Sequence, residues 1–521
     1  MSQYATDYDF GAIDLESQAD LVAPVADVGR SKLTPLLLVP SLAMSGIAWM
    51  AGGLSPLTDM SFLLLTIVCS VLMVRELMMF TRRWGIGGMV LYGGSLVWFC
   101  FDYLTFWFMK PEQAAATGFT NEVVAKAAFF TILFIASMMI GVNIRKGEPL
   151  ARLMQRTPDI RTPGTGFILV LILFAIGASP FLLFTSEPWY TAMYHQITAG
   201  RGGQGVAWTV GRTGNVNYNW GAYVAQILQV GQVGSIYAIL WVVLVGRNVF
   251  LRIIGVLIWV LWLMLGTGTG TRGEVIASML PAIFAFFVKY SAVAAAYAKR
   301  ISIRAYVAAA TLLLVTLVFV QFQITFRNTG FLGGSLEAIS GKIEGNSMFS
   351  EGMLGYRLIP DRFYYFHNAF YVEGAIRPIP DTVFWFFISP MPRALWTSKP
   401  IDPAWKWYNE VVTGDPNGTE GTTIANGASG YWYIRYGPIG VIEGGIMIGW
   451  LMTYGEMVFR RCNGRLNLLL FALGWETWLF RSFRGFGFPD LDALLVGYVA
   501  LSALTVVANI FVGAPAQTEP V

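Results

Sequence analysis

Two histidines and three cysteines stand in a chain of 521 residues, and charged side chains make up only 13% of it. So little histidine argues against a histidine-rich metal centre. Cys69, Cys100 and Cys462 fall in or beside apolar runs, with neither zinc-ligand spacing nor a disulfide framework. The first 29 residues lack any basic stretch and instead carry Asp7, Asp9, Asp14, Glu16, Asp20 and Asp27, which is not the pattern of a signal peptide. A net charge of +4 says little until the charges are assigned to sides. No metal, cofactor or nucleic-acid partner is expected.

What the chain has in abundance is apolar surface. Hydrophobic residues make up 55% of it, and the mean hydropathy is +0.57. Repeated apolar runs of about 20 residues identify an all-α polytopic membrane protein embedded in a lipid bilayer. Twelve helices are expected, at 33–52, 58–80, 86–108, 123–145, 166–185, 220–246, 249–268, 274–292, 303–326, 434–459, 466–482 and 490–512. With the N-terminus inside, the inner segments hold 19 lysines and arginines and the short outer loops seven. That bias puts both termini in the cytosol.

The organisation that follows is a cytosolic tail (1–32), nine helices (33–326) and a long outer loop (327–433). Three further helices (434–512) and a short tail (513–521) complete it. An earlier outer loop, 186–219, is rich in glycine and aromatics. The loop 327–433 is too long to lack structure and is expected to fold over the bundle. Within it, 357–371 reads as a helix with Pro360 in its first turn and His367 on an aromatic stripe.

Candidate chemistry gathers on the outer side. The turn GTGTGTRGE (266–274) ends one helix and opens the next, placing Arg272 at a helix N-terminus suited to an anion. A tight turn with a snorkelling arginine is the alternative. In FWFFISPMPRALWTSKP (384–400), Arg393 and Lys399 stand among prolines and aromatics, against the usual charge asymmetry. In WETWLFRSFRGFGFPD (475–490), Arg481 and Arg484 share a helix face, and Glu476 lies deeper, either as a functional group or in a structural ion pair. Glu443 sits among Gly440, Gly444 and Gly445, which suggests close helix packing. His367 is the first candidate for a general base and His195 a weaker one, with Glu443 and Glu476 behind them. Trp189, Tyr190 and Tyr194 can stack on sugars or form an interfacial belt.

The TGTRG turn, PRALWTSKP, the stretch GYWYIRYGPIG (430–440) and the late RSFRG resemble those of bacterial oligosaccharide repeat-unit polymerases. These are the Wzy-type O-antigen and exopolysaccharide polymerases, related to O-antigen ligases. The resemblance spans roughly residues 33–512. Where that family often has an acidic residue ahead of its YxxxG element, this chain has Tyr431 and Trp432, so no base is assigned there.

The resemblance implies a GT-C-like membrane glycosyltransferase in the bacterial inner membrane. Its donor and acceptor would be undecaprenyl-pyrophosphate-linked glycans, joined at the periplasmic face, and its partners a chain-length regulator and a flippase. Arg272, Arg393, Lys399, Arg481 and Arg484 would contact pyrophosphate or glycan. His367, Glu443 and Glu476 would be the catalytic candidates. A ligase is the second reading. A transporter, which favours midplane charges and internal repeats, is the third.

Overall fold

The computed structural model describes residues 34–83, 86–101, 103–104, 120–144, 148–160, 162–183, 187–198, 221–268, 272–296, 371–372, 375–376, 427–462, 465–483 and 488–512, with residues 185, 311, 388 and 396 besides. Among these, the chain is helical apart from a two-stranded antiparallel ladder, β1 (Tyr371–Val372) with β2 (Ala375–Ile376). A 3-10 turn leads into α1 (Val39–Met50), followed by α2 (Ser55–Arg83) and α3 (Gly87–Ser95). Then come α4 (Asn121–Gly141), α5 (Glu148–Met154), α6 (Pro163–Leu183), α7 (Trp189–Thr198) and α8 (Gly221–Leu244). The set is completed by α9 (Val249–Gly268), α10 (Arg272–Ala296), α11 (Gly427–Arg460), α12 (Leu466–Ser482) and α13 (Phe488–Val512).

Eleven of the twelve expected helices meet a helix here, and the twelfth, 303–326, lies outside the described residues except for Thr311. Six of the described helices are long and apolar enough to cross a membrane, which makes the chain a multi-pass membrane protein. Three shorter apolar helices accompany them: Thr34–Met50, Gly87–Cys100 and Val275–Lys289. Two expectations need correction. The stretch 427–433 was expected to end the outer loop but is the first part of α11. The segment 86–108 is not one regular helix, because α3 passes into a π-helical turn at Leu96–Cys100. The expected helix at 357–371 lies outside the described residues apart from Tyr371, which is in β1.

Small residues decide which helices touch. Helix α4 begins under a Thr120 cap, whose hydroxyl accepts from the Val123 N–H, and Glu122 adds an acidic side chain to the first turn. Its far end lies against α11, where a Cβ added at Gly449 would stand 2.1 Å from the Met138 carbonyl oxygen. Gly445 and Gly449 are four apart, the spacing that lets two helix backbones meet inside a membrane. Gly177 of α6 and Gly231 of α8 repeat the device, with the Trp262 ring closing over Gly231.

At one end of the bundle, the link between α5 and α6 is bound into a polar nest. The Asp159 carboxylate accepts from the Ile160 N–H at 2.8 Å and the Asn467 N–H at 3.2 Å. It thereby caps α12 from another part of the chain, since Arg465 at the N-cap position supplies no side-chain cap. The Arg465 guanidinium donates to the carbonyls of Gln155 and Thr157, and its Nε lies 3.7 Å from Asp159. Asn467 donates to Pro158 and Thr505, and Asn509 donates to the Asp159 carbonyl.

Burial raises the Asp159 carboxyl above its ordinary range, while the two N–H groups and Arg465 pull it partly back. A raised folded-state value means that the folded protein holds the proton more tightly than the unfolded chain. Stability contributed by this group is therefore largest in acid and falls as pH rises from the ordinary carboxylate value through the raised one. Asp159→Asn keeps an acceptor for both N–H groups and removes the charge. Thermal unfolding in detergent should show the variant gaining on the wild type as pH rises above about 4. A difference that is flat with pH would contradict this assignment.

Candidate functional site

Helix α11 is not one straight helix. Gly437 has φ 65 and ψ −152, a left-handed conformation that glycine tolerates, and Pro438 follows it. In a continuous helix residues 432 and 444 would be separated by about 18 Å. Yet the Trp432 ring lies 2.2 Å from where a Cβ on Gly444 would stand, and the Trp432 carbonyl oxygen is 2.5 Å from the same position on Gly440. The chain therefore doubles back at Gly437–Pro438. It makes a helical hairpin with a first arm at 427–436 and a second at 438–460. Glycines 440 and 444 are what let the arms close, because any side chain there would meet Trp432.

The first arm begins where α12 ends. The Ala428 N–H donates to the Phe483 carbonyl at 3.1 Å, so the open N-terminus of one helix satisfies the open C-terminus of the other. Their dipoles meet head to tail, and Arg481 stands in the last turn of α12 as a further favourable charge. Phe483 packs on Gly94 and Phe99 of the neighbouring α3 and π turn, and the Trp98 indole donates to the Phe480 carbonyl. In this way the start of the hairpin and the end of α12 at Arg481–Phe483, some 50 residues apart in sequence, form one junction.

Further along the first arm, two residues before the break, lies Arg435, which is 2% exposed. Its guanidinium stands 4.6 Å from the centre of the Tyr431 ring, and Tyr436 stacks on Trp432 at 6.0 Å. A cation held on aromatic faces away from water interacts with them by about 2 kcal/mol. Taking a guanidinium out of water is costly unless it is paired or held on such faces. Nearby, the Lys126 ammonium stands 6.0 Å from both the Trp49 and the Tyr433 rings.

The candidates named from sequence are spread over the molecule. Arg481 is half-buried at the junction. Glu476 is fully buried one to two turns below, beside Gly455 and Trp475. Glu443 is on the second arm and faces outward, so it does not join them. Arg272 opens α10, as the anion-site reading requires, although only its backbone is described. His195 on α7 is exposed and its Nδ1 pairs with Glu187 at 3.0 Å. Trp189, Tyr190 and Tyr194 present their rings on the same short helix, each more than half exposed. His367, Arg393, Lys399 and Arg484 lie outside the described residues. The sequence reading missed Arg435. A cation set in a run of aromatics just before Gly-Pro was the available signal.

Among the described residues, no group of three or more His, Cys, Asp or Glu could hold a metal ion. What this part of the molecule brings together is positive charge and aromatic faces, groups able to hold an anion. No protein-family model matches the chain, and neither does any curated protein or solved structure.

Proposed function

We propose that the protein is a membrane glycosyltransferase that polymerises lipid-pyrophosphate-linked oligosaccharide repeat units. The junction lies at the periplasmic face of the inner membrane, within a GT-C-like bundle of twelve spans whose termini are cytosolic. The observation that supports this reading is a buried cation, Arg435, on the hairpin arm that starts where α12 ends with Arg481 in its last turn. In the reaction, an acceptor hydroxyl attacks the anomeric carbon of the donor sugar. The bond from that carbon to the pyrophosphate oxygen breaks, and the lipid pyrophosphate leaves with the electron pair. Arginines favour that departure by meeting the growing phosphate charge with paired N–H donors. The hydroxyl proton goes to a base, for which His367 is the candidate, with Glu476 behind it; Glu443, which faces outward, drops out of that role. Arg272, Arg393, Lys399 and Arg484 complete the proposed contacts to pyrophosphate and glycan.

The surface glycan ladder of cells lacking the gene tests the reading. Loss of long chains, with single repeat units still on their acceptor, identifies a polymerase. Failure of both to reach the acceptor, with lipid-linked polymer accumulating, identifies a ligase. A transporter draws support from the break at Gly437, since transport sites use interrupted helices. An unchanged ladder would favour it. Arg481→Ala and Arg272→Ala should each abolish polymer while the protein still accumulates in the membrane. Arg→Lys at either position should restore little of it, because lysine lacks the two-pronged donor geometry. Full activity in both lysine variants would refute bidentate contact.

A further inference from the structure

The second arm of the hairpin has two unlike faces. Gly440, Gly444, Gly445, Gly449 and Met452 are buried. Opposite them, Ile439 is 56% exposed, Ile442 is 40% exposed and Glu443 is exposed as well. Below Glu443 an open groove of about 480 Å³ runs along Ile446, Met447 and Trp450 to Ile144. Among its described lining residues Glu443 is the only charged one.

Depth makes this carboxylate unusual. Gly445, two residues on, lies against the Phe134 carbonyl and Ser137. Those residues stand well inside α4, itself one of the six candidate spans. Glu443 is therefore at the level of the hydrocarbon and faces away from the bundle. No hydrogen bond or ion pair to a described residue engages it. Ionisable groups at this depth ordinarily face the protein interior and find a partner there.

We propose that this face docks a membrane-spanning helix of a different protein, one that carries a lysine or arginine within its span. The apolar groove supplies the packing surface and Glu443 the single polar contact that fixes depth and rotation. A lipid chain would fill the groove but offers no donor to the carboxylate. A second copy of this chain would set Glu443 against its own twin, like charge against like. The proposal stands whether or not the glycan reading does, because it is argued from the groove and the depth of Glu443 alone.

The test is photo-crosslinking in cells with p-benzoylphenylalanine in place of Met447. One adduct with a different membrane protein is expected. Glu443→Gln should reduce its yield roughly tenfold, the scale of one interhelical polar contact. Glu443→Lys should abolish it, and changing the partner's intramembrane lysine or arginine to glutamate should restore it in that background. Membrane levels of each variant are measured alongside. Should Glu443→Lys not accumulate, Glu443→Gln carries the comparison alone. Adducts only with lipid, an adduct of twice this chain's mass, or a yield indifferent to Glu443 would each overturn the proposal.

Discussion

Cells carrying Arg435→Ala as their only copy should make at least about 100-fold less surface polymer, on the scale of losing one preorganised donor to a charged transition state. The residue is buried on the Tyr431 face beside a break in the helix, so it cannot be replaced by a mobile surface cation. Arg435→Lys separates charge from shape. Lysine keeps the cation and loses the planar fork, so polymer should remain low while the protein still accumulates. Polymer near wild type in Arg435→Lys would reduce the requirement to charge alone. Loss of the protein itself in both variants would make Arg435 a structural residue and remove the main support for the proposed site.

Gly449→Val should disrupt the bundle more than any single surface change. The new Cβ would stand 2.1 Å from the Met138 oxygen and 3.0 Å from the Gly141 Cα, so α4 and α11 would have to separate. Overpacking of this kind costs about 3 kcal/mol, and here both neighbours are backbone, which cannot rotate out of the way. Loss of folded protein on detergent chromatography is the expected result. Gly52→Ala is the control. Gly52 has φ 77 and nothing within 4 Å of an added Cβ, so only backbone strain of about 1–2 kcal/mol applies. Equal effects from the two substitutions would contradict the close-packing account.

The helices were legible in the sequence because a membrane span declares itself in a local window. Residues 166–185 and 249–268 need only their own composition to be recognised, and both are helical here. The hairpin was not legible for the opposite reason. GASGYWY is short, rich in glycine and aromatics, and too polar to pass for a span, so it reads as the tail of a loop. Its helicity depends on neighbours: Ala428 on Phe483, Tyr433 on Phe130 and Trp432 on Gly444. No periodicity reports a contact between residues twelve apart across a reversal. The depth of Glu476 was foreseen from the apolar run around it. The outward aim of Glu443 was not, because flanking glycines announce close packing without saying which face the carboxylate shares. Arg435 was not legible because its enclosure on the Tyr431 face exists only once the first arm has folded.

Helix α12 has 17 residues and so reaches about 25 Å, less than the roughly 30 Å of a bilayer's hydrocarbon. The hairpin's first arm continues from its end, and Arg435 lies in that continuation. Laid end to end the two reach about 40 Å, so α12 and the first arm together make one interrupted crossing with Arg435 near its far end. Under the proposed function, a lipid-borne phosphate would meet Arg435 at headgroup depth, without being drawn into the hydrocarbon. The cost of taking that cation out of water is met once, when the helices pack.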